Sequence, residues 1–160
     1  MIKIYREHDE PLNLDVSSLR QIHLTGISFH RCWLNNLDFS GSVLMNIDFR
    51  SAKMNNAKFA AASFNKSKLI MIESKGSCYN ECNFDNALLL YSNFNGSSFK
   101  GADLSKGIVK EVALTNCDLR GADLSCSGLE TCNLKGAVYD DLTVWPEAYN
   151  AVEHGAVKME

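Results

Sequence analysis

The sequence predicts a repeat fold in which the chain turns a corner every five residues. Residues 101–125, GADLSKGIVKEVALTNCDLRGADLS, align with themselves when they are cut every five residues. A period of five matches neither the 3.6 residues per turn of a helix nor the two-residue alternation of a strand. One phase of large apolar residues runs without a slip from Leu14 to Tyr139, with Ser74 as its only exception. A repeat over this much of a chain decides the whole fold.

Length and composition narrow the class of protein. A chain of 160 residues suits one domain, and its net charge of −3 argues against a broad basic surface for nucleic acid. No apolar run is long enough to span a membrane, and the charged start MIKIYREHDEP lacks the apolar core of a secretory signal. Six cysteines in such a chain indicate reduced thiols. We therefore expect a cytoplasmic protein that does not contact a membrane.

Residues 1–13, MIKIYREHDEPLN, precede the regular repeat. The alternation of Ile2 and Ile4 with polar residues predicts a short strand. The end of a stack of repeats exposes unpaired strand edges that need a cover. We interpret this segment as an N-terminal cap.

From residue 14 to residue 139, each five-residue unit presents one large and one small residue to the interior. The position two residues before the large one carries no charge from Leu12 to Ala137 and is mostly Ala, Ser, Cys or Gly, with Ser127 among its members. The position two residues after the large one holds seven of the ten glycines. A tight corner favours glycine there because glycine adopts positive φ without steric cost.

Residues 140–160 lose the period and are interpreted as a C-terminal cap. Pro146 suits the first turn of a short helix, and Gly155 suits its end. The sequence therefore predicts a short helix in this cap.

The repeat resembles a known family. Its clearest copies are GADLS at 101–105, RGADLS at 120–125 and TCNLKGA at 131–137. This pattern, A(D/N)LXX in its ideal form, resembles the pentapeptide-repeat family over roughly residues 12–140. The resemblance implies an all-β fold, a right-handed quadrilateral parallel β-solenoid with four pentapeptides in each square coil. We expect about six coils spaced by ~4.8 Å, with an interior filled by side chains and no ligand cavity.

The N-terminal third departs from the family's preference for Ala or Ser at the small inward position. We expect wider coils or distorted corners there. The bulky residues at this position are Ile22, Ile27, Leu37, Ile47, Ile72 and Val112.

The cysteines and histidines, which could serve as catalytic or metal-binding residues, show no arrangement that indicates a site. No two cysteines are 20 residues apart, and most occupy the small inward phase, where they behave as small hydrophobes. A zinc site needs four converging ligands, which nothing supplies, and the four histidines share no column with a nucleophile. We therefore expect no enzyme, no catalytic residue, no cofactor and no metal. The cysteines and histidines considered for these roles are Cys32, Cys78, Cys82, Cys117, Cys126, Cys132, His8, His23, His30 and His154.

One face of the predicted solenoid is apolar on its outward side. Residues 20 apart should stack on one face, and the outward positions around Leu69, Leu89 and Val109 then hold one apolar group. A contiguous apolar patch usually marks a partner surface. We interpret it as a protein-binding or self-association surface, and the alternative is that a cap folds back over it. The apolar patch is Ile70, Met71, Leu88, Leu90, Tyr91 and Ile108, with basic Arg31, Arg50 and Lys68 before it and acidic Glu111 and Glu130 after it.

The function expected from these observations is a non-enzymatic interaction or scaffold module. Its partner would be a protein or a second copy of the chain, with neither a small-molecule substrate nor direct nucleic-acid binding. Some family members are acidic mimics of duplex DNA that inhibit or protect DNA gyrase, which is an alternative. The net charge of −3 is small for an acidic mimic of duplex DNA. A bacterial effector is a second alternative that no feature of the sequence distinguishes. The acidic residues nearest to a mimic are Asp103, Asp118, Asp123, Asp140 and Asp141, which lie near Arg120 and Lys135.

Overall fold

The computed structural model describes residues 1–126 and 128–160, so that Ser127, predicted at a small inward position, lies outside the described residues. The chain forms short strands joined by corners. The strands are β1 (Ile2–Ile4), β2 (Leu12–Leu14), β3 (His23–Thr25), β4 (Val43–Met45), β5 (Lys68–Ile70), β6 (Leu88–Leu90), β7 (Ile108–Lys110), β8 (Val138–Tyr139) and β9 (Val157–Lys158), with a 3₁₀ helix at Leu129–Thr131.

The strands stack in parallel with a register of 20 residues. Strand β3 pairs with β4, and β6 lies between β5 and β7, so that Leu89 lies directly between Leu69 and Val109. Isolated bridges such as Ser28 with Asp48 keep the same offset on the other faces. Each coil thus supplies the backbone hydrogen-bond partners that the next coil needs.

The interior is a closed stack of side chains. The rings of Phe59 and Tyr79 stack with centroids 5.1 Å apart, and those of Phe64 and Phe84 with centroids 5.0 Å apart. Ser74, the polar exception in the large phase, lies with its Oγ 2.6 Å from the Oη of Tyr79. Because these two groups satisfy each other, the interior tolerates one serine among its large residues.

The small inward serines bind the coil before them. The Ser67 hydroxyl donates to the carbonyl oxygen of Leu44 at 2.7 Å and accepts from the amide of Ile47 at 2.9 Å. The thiol of Cys82 donates to the carbonyl oxygen of Phe59 at 2.9 Å in the same manner. The small side chains therefore join the coils as well as leaving room at the corners.

The N-terminal coils keep the register despite their bulky small-position residues. Ile47 is buried, whereas Ile22, Ile27 and Leu37 are half-buried and pack against the core. The pairing of His23 with Val43 shows the same offset as in the later coils.

The two ends differ from the repeats. Strand β1 runs antiparallel to β2, and the Trp33 amide donates to the carbonyl oxygen of Tyr5 at 2.9 Å, which places this hairpin against the first coil. At the other end β9 pairs in parallel with β8.

The prediction of a short helix after Pro146 is wrong. The segment forms turns, with single bonds from the Tyr149 amide to Pro146 and from the Gly155 amide to Val152. Ala148 has a φ of +58°, which interrupts the run of right-handed residues that a helix needs. None of the described residues belongs to a helix long and apolar enough to cross a bilayer.

Candidate protein-interaction surface

The described part of the chain contains no internal pocket and no group of three or more metal-ligating side chains. Its cysteines are free, and all except Cys78 are buried. Burial raises the pKa of Cys117 and of Cys126 to about 12, so these thiols stay protonated and unreactive at neutral pH.

The structure brings all six predicted patch residues together on the outer side of β5, β6 and β7 and at the corners that follow them. Lys68, Leu88 and Ile108 are neighbours across the three strands, as are Ile70, Leu90 and Lys110. The three most exposed members are Met71 at 57%, Tyr91 at 47% and Ile108 at 48% of their full area, and Ile70, Leu88 and Leu90 are half-buried. We call these six residues the apolar patch.

Neither core packing nor backbone conformation requires apolar residues in the patch. The core on this face is made by the inward residues of the same strands, which are at most 1% exposed. Met71 and Tyr91 each have a φ of +53°, a left-handed conformation that bulky side chains rarely adopt and that suits Gly or Asn. Equivalent corners elsewhere hold Asn46 and Gly96. The apolar character of the patch is therefore left unexplained by the fold.

Neither terminal segment lies over the apolar patch. The N-terminal hairpin reaches this side of the solenoid only at its first coil, where the Glu7 amide donates to the carbonyl oxygen of Arg31 at 3.1 Å. The C-terminal strand β9 is paired with β8, and Ala156 packs in the core. The apolar patch is therefore exposed to solvent among the residues that the structure describes.

Charges flank the apolar patch along the solenoid axis. Arg50 binds Asp48, with 2.6 Å between Nη2 and Oδ2, and this pair lowers the pKa of Asp48. Lys110 places its Nζ 5.8 Å from the ring centroid of Tyr91, within range of a cation–π contact. The other flanking charges are exposed: Arg31, Lys68, Glu111 and Glu130.

The acidic residues considered for DNA mimicry are occupied by neighbours. Asp118 accepts from Arg120 Nη2 at 2.7 Å and lies 3.2 Å from Lys100 Nζ. The hydrogen bonds from Arg120 lower the pKa of Asp118 to about 2. Asp141 lies 2.5 Å from Lys158 Nζ. Positive side chains thus neutralise part of this surface.

A second group of exposed apolar residues, which the sequence did not predict, lies in the C-terminal segment. Leu142 is 75% exposed, and Val144, Val152 and Val157 are at least 47% exposed. These residues follow the point at which the five-residue period ends. The five-residue phase that assigns inward and outward positions no longer applies there. Only the apolar composition of the segment could have indicated these exposed residues.

The repeat matches a known protein family. A family model described as pentapeptide repeats matches residues 22–59, 75–105 and 109–138 in eight copies, which is more than half of the chain. No curated protein matches the sequence.

Solved structures of pentapeptide-repeat proteins resemble this one. Alr5209 from Nostoc PCC 7120 has a TM-score of 0.58 and 24% identity, over 70% of this chain and 84% of that one. Rfr23 from the cyanobacterium Cyanothece 51142 has a TM-score of 0.45 and 20% identity, over 80% of this chain and 87% of that one. Full-length QnrB1, a plasmid-mediated fluoroquinolone resistance protein, has a TM-score of 0.34 and 13% identity, over 91% and 89%. The likeness to alr5209, together with the parallel 20-residue register, confirms the predicted fold class of a right-handed quadrilateral β-solenoid.

Proposed function

This chain belongs to the pentapeptide-repeat family, and on that premise we propose that it is a non-enzymatic interaction module that offers the apolar patch to a protein partner. The observation that carries the proposal is the convergence of six apolar side chains on the outer side of β5, β6 and β7, where water would otherwise surround them. A contiguous apolar surface of this kind is typical of a binding site for another macromolecule.

The solenoid gives the patch a fixed shape before a partner arrives. Strand β6 is hydrogen-bonded to β5 on one side and to β7 on the other, and the residues beneath the patch, such as Leu69 and Leu89, are buried in the core. A surface that is already ordered loses little conformational entropy on binding. This rigidity supports a scaffold or docking role.

The experiment compares two matched double variants in affinity capture from the native cell. Leu90→Asp with Tyr91→Asp places two charges in the patch. Ala60→Asp with Ala61→Asp places them at the same two positions of a repeat unit one and a half coils earlier, on the opposite face, and Ala61 has a comparable φ of +56°. We expect the patch variant to lose a protein that the wild type and the control variant retain. If both variants retain all captured proteins while remaining folded by thermal unfolding, the proposal is wrong.

The observations favour this role over a DNA-mimicking inhibitor or protector of gyrase. A mimic of duplex DNA needs a continuous column of unpaired acidic groups, whereas Asp118 and Asp141 are bound to Arg120 and Lys158. A supercoiling assay with and without the protein separates the two functions. Unchanged gyrase activity is the outcome expected from the interaction module.

A further inference from the structure

We infer that the partner of the apolar patch is a second copy of this chain, packed face to face with its solenoid axis antiparallel to the first. The inference rests on the proposed function, because it assigns an occupant to the same surface. Two observations carry it. The patch is centred on β6, and the net charge of the flanking residues changes sign across it, from Arg31, Arg50 and Lys68 with Asp48 on the β5 side to Glu111 and Glu130 with Lys110 on the β7 side.

A two-fold axis along β6 makes the patch complementary to itself. The rotation places β6 of one copy on β6 of the other, so that Leu88 and Leu90 meet their own equivalents. It also places β5 of each copy on β7 of its partner. Such an interface is isologous, the commonest arrangement in homodimers, and each contact occurs twice.

The same rotation brings opposite charges together. Arg50 lies two coils before Leu90 and Glu130 lies two coils after it, 40 residues on either side. With the axis at β6, Arg50 of each copy therefore faces the partner's Glu130. The guanidinium of Arg50 binds Asp48 through Nε and Nη2, and its Nη1 group makes no hydrogen bond among the described residues. It has a donor left for a second carboxylate.

A parallel arrangement of the two copies has the opposite electrostatics. Its two-fold axis runs along the solenoid and sets each coil beside the same coil of the partner, so that the coils with the basic residues Arg31, Arg50 and Lys68 lie together, as do those with Glu111 and Glu130. Like charges across an interface oppose association. The charge distribution thus selects the antiparallel form.

The surface is small for a permanent complex. Its apolar centre holds three exposed and three half-buried side chains per copy, far fewer than the ~20–30 residues that each partner contributes to a standard stable interface. We therefore expect a reversible dimer with a dissociation constant on the order of micromolar.

Sedimentation velocity over a range of protein concentrations tests the dimer. Met71→Asn with Tyr91→Asn removes apolar area at two corners whose left-handed conformation suits asparagine. We expect this variant to fold as stably as the wild type and to weaken association at least ~10-fold, with Leu90→Asp weakening it ~30-fold or more. The control Ala60→Asp with Ala61→Asp should leave the dimer unchanged.

A charge exchange tests the antiparallel orientation. Arg50→Glu alone and Glu130→Arg alone should each weaken association by roughly threefold to tenfold, because each creates two like-charge contacts per dimer. The variant with both substitutions should associate more tightly than either single variant. Only the antiparallel form makes this prediction, because in a parallel dimer positions 50 and 130 lie four coils apart and exchanging their charges restores no contact.

Three results would overturn the inference. The first is a wild type that stays monomeric at all concentrations. The second is a double charge variant weaker than both single ones. The third is a dimer that Leu142→Asp abolishes and Leu90→Asp spares, because it would use the C-terminal segment instead. A monomer whose capture of another protein is still lost with Leu90→Asp and Tyr91→Asp would refute self-association and leave the proposed function standing.

Discussion

The hydrogen bond between Ser74 and Tyr79 is expected to be the most strongly coupled interaction inside the solenoid. Both residues are fully buried, and the phenol oxygen of Tyr79 lies 2.6 Å from Ser74 Oγ. Burial raises the pKa of Tyr79, so its O–H remains a donor throughout the accessible pH range. Removing one partner should therefore leave a neutral polar group without a hydrogen bond in a dry interior.

The magnitudes follow from what each substitution leaves behind. Ser74→Ala strands the phenol O–H, which costs about 1–3 kcal/mol of unfolding free energy. The carbonyl oxygen of Met54, which also accepts from Ser74, keeps its hydrogen bond from Ser77 at 2.6 Å. Tyr79→Phe should cost only about 0.5–1.5 kcal/mol, because Ser74 still donates to Met54. With both substitutions no stranded group remains, and the total loss should be well below the sum of the two.

The assay is a double-mutant cycle measured by urea unfolding with a common slope for the four proteins. Phe59→Tyr, in the same stacked column as Tyr79, is the control, because its added hydroxyl has no serine beside it. It should destabilise the protein by about 1–3 kcal/mol. If the losses from Ser74→Ala and Tyr79→Phe add to within about 0.5 kcal/mol, the two groups do not form the buried pair described above.

Two further predictions concern the corners and the surface charges. Gly128→Ala should lower the unfolding free energy by more than about 2 kcal/mol, because the new Cβ would collide with the carbonyl oxygen of Val109. Gly96→Ala, with the same sign of φ and open space around it, should cost only about 1 kcal/mol; equal losses in thermal unfolding would refute the steric explanation. The pKa of Asp118 is depressed to about 2 in the folded protein, against about 3.9 when unfolded. The stability that Asp118 contributes is therefore present above about pH 4 and is lost as the pH falls towards 2. Asp118→Asn should lower the unfolding free energy at pH 7 by about 1 kcal/mol and flatten its fall between pH 4 and pH 2, and an unchanged acid profile would contradict this.

The arrangement of the solenoid could be predicted from the sequence because every structural decision in it is local and repeated. A large residue, a small residue and a corner recur every five positions, so the phase at Leu104 assigns inward and outward sides as far as Leu14 and Tyr139. The register of 20 then places Ile70 beside Leu90 and Leu88 beside Ile108 by arithmetic alone, and the strand pairing agrees. The outward apolar patch follows from the same arithmetic.

The tertiary structure decided the features that depend on contacts outside the period. The pairing of Ser74 with Tyr79 requires two inward side chains of successive repeat units to turn towards each other, which no pattern of residue types specifies. The segment after Pro146 carries the signals of a helix, but Ala148 turns left-handed and β9 pairs with β8. Whether a cap lies over Leu90 and Tyr91 is also set by the direction in which the ends leave the solenoid. The repeat can be inferred from residue types alone because backbone pairing between coils is satisfied in one register. The ends and the buried polar pair depend instead on packing between residues that the repeat does not relate.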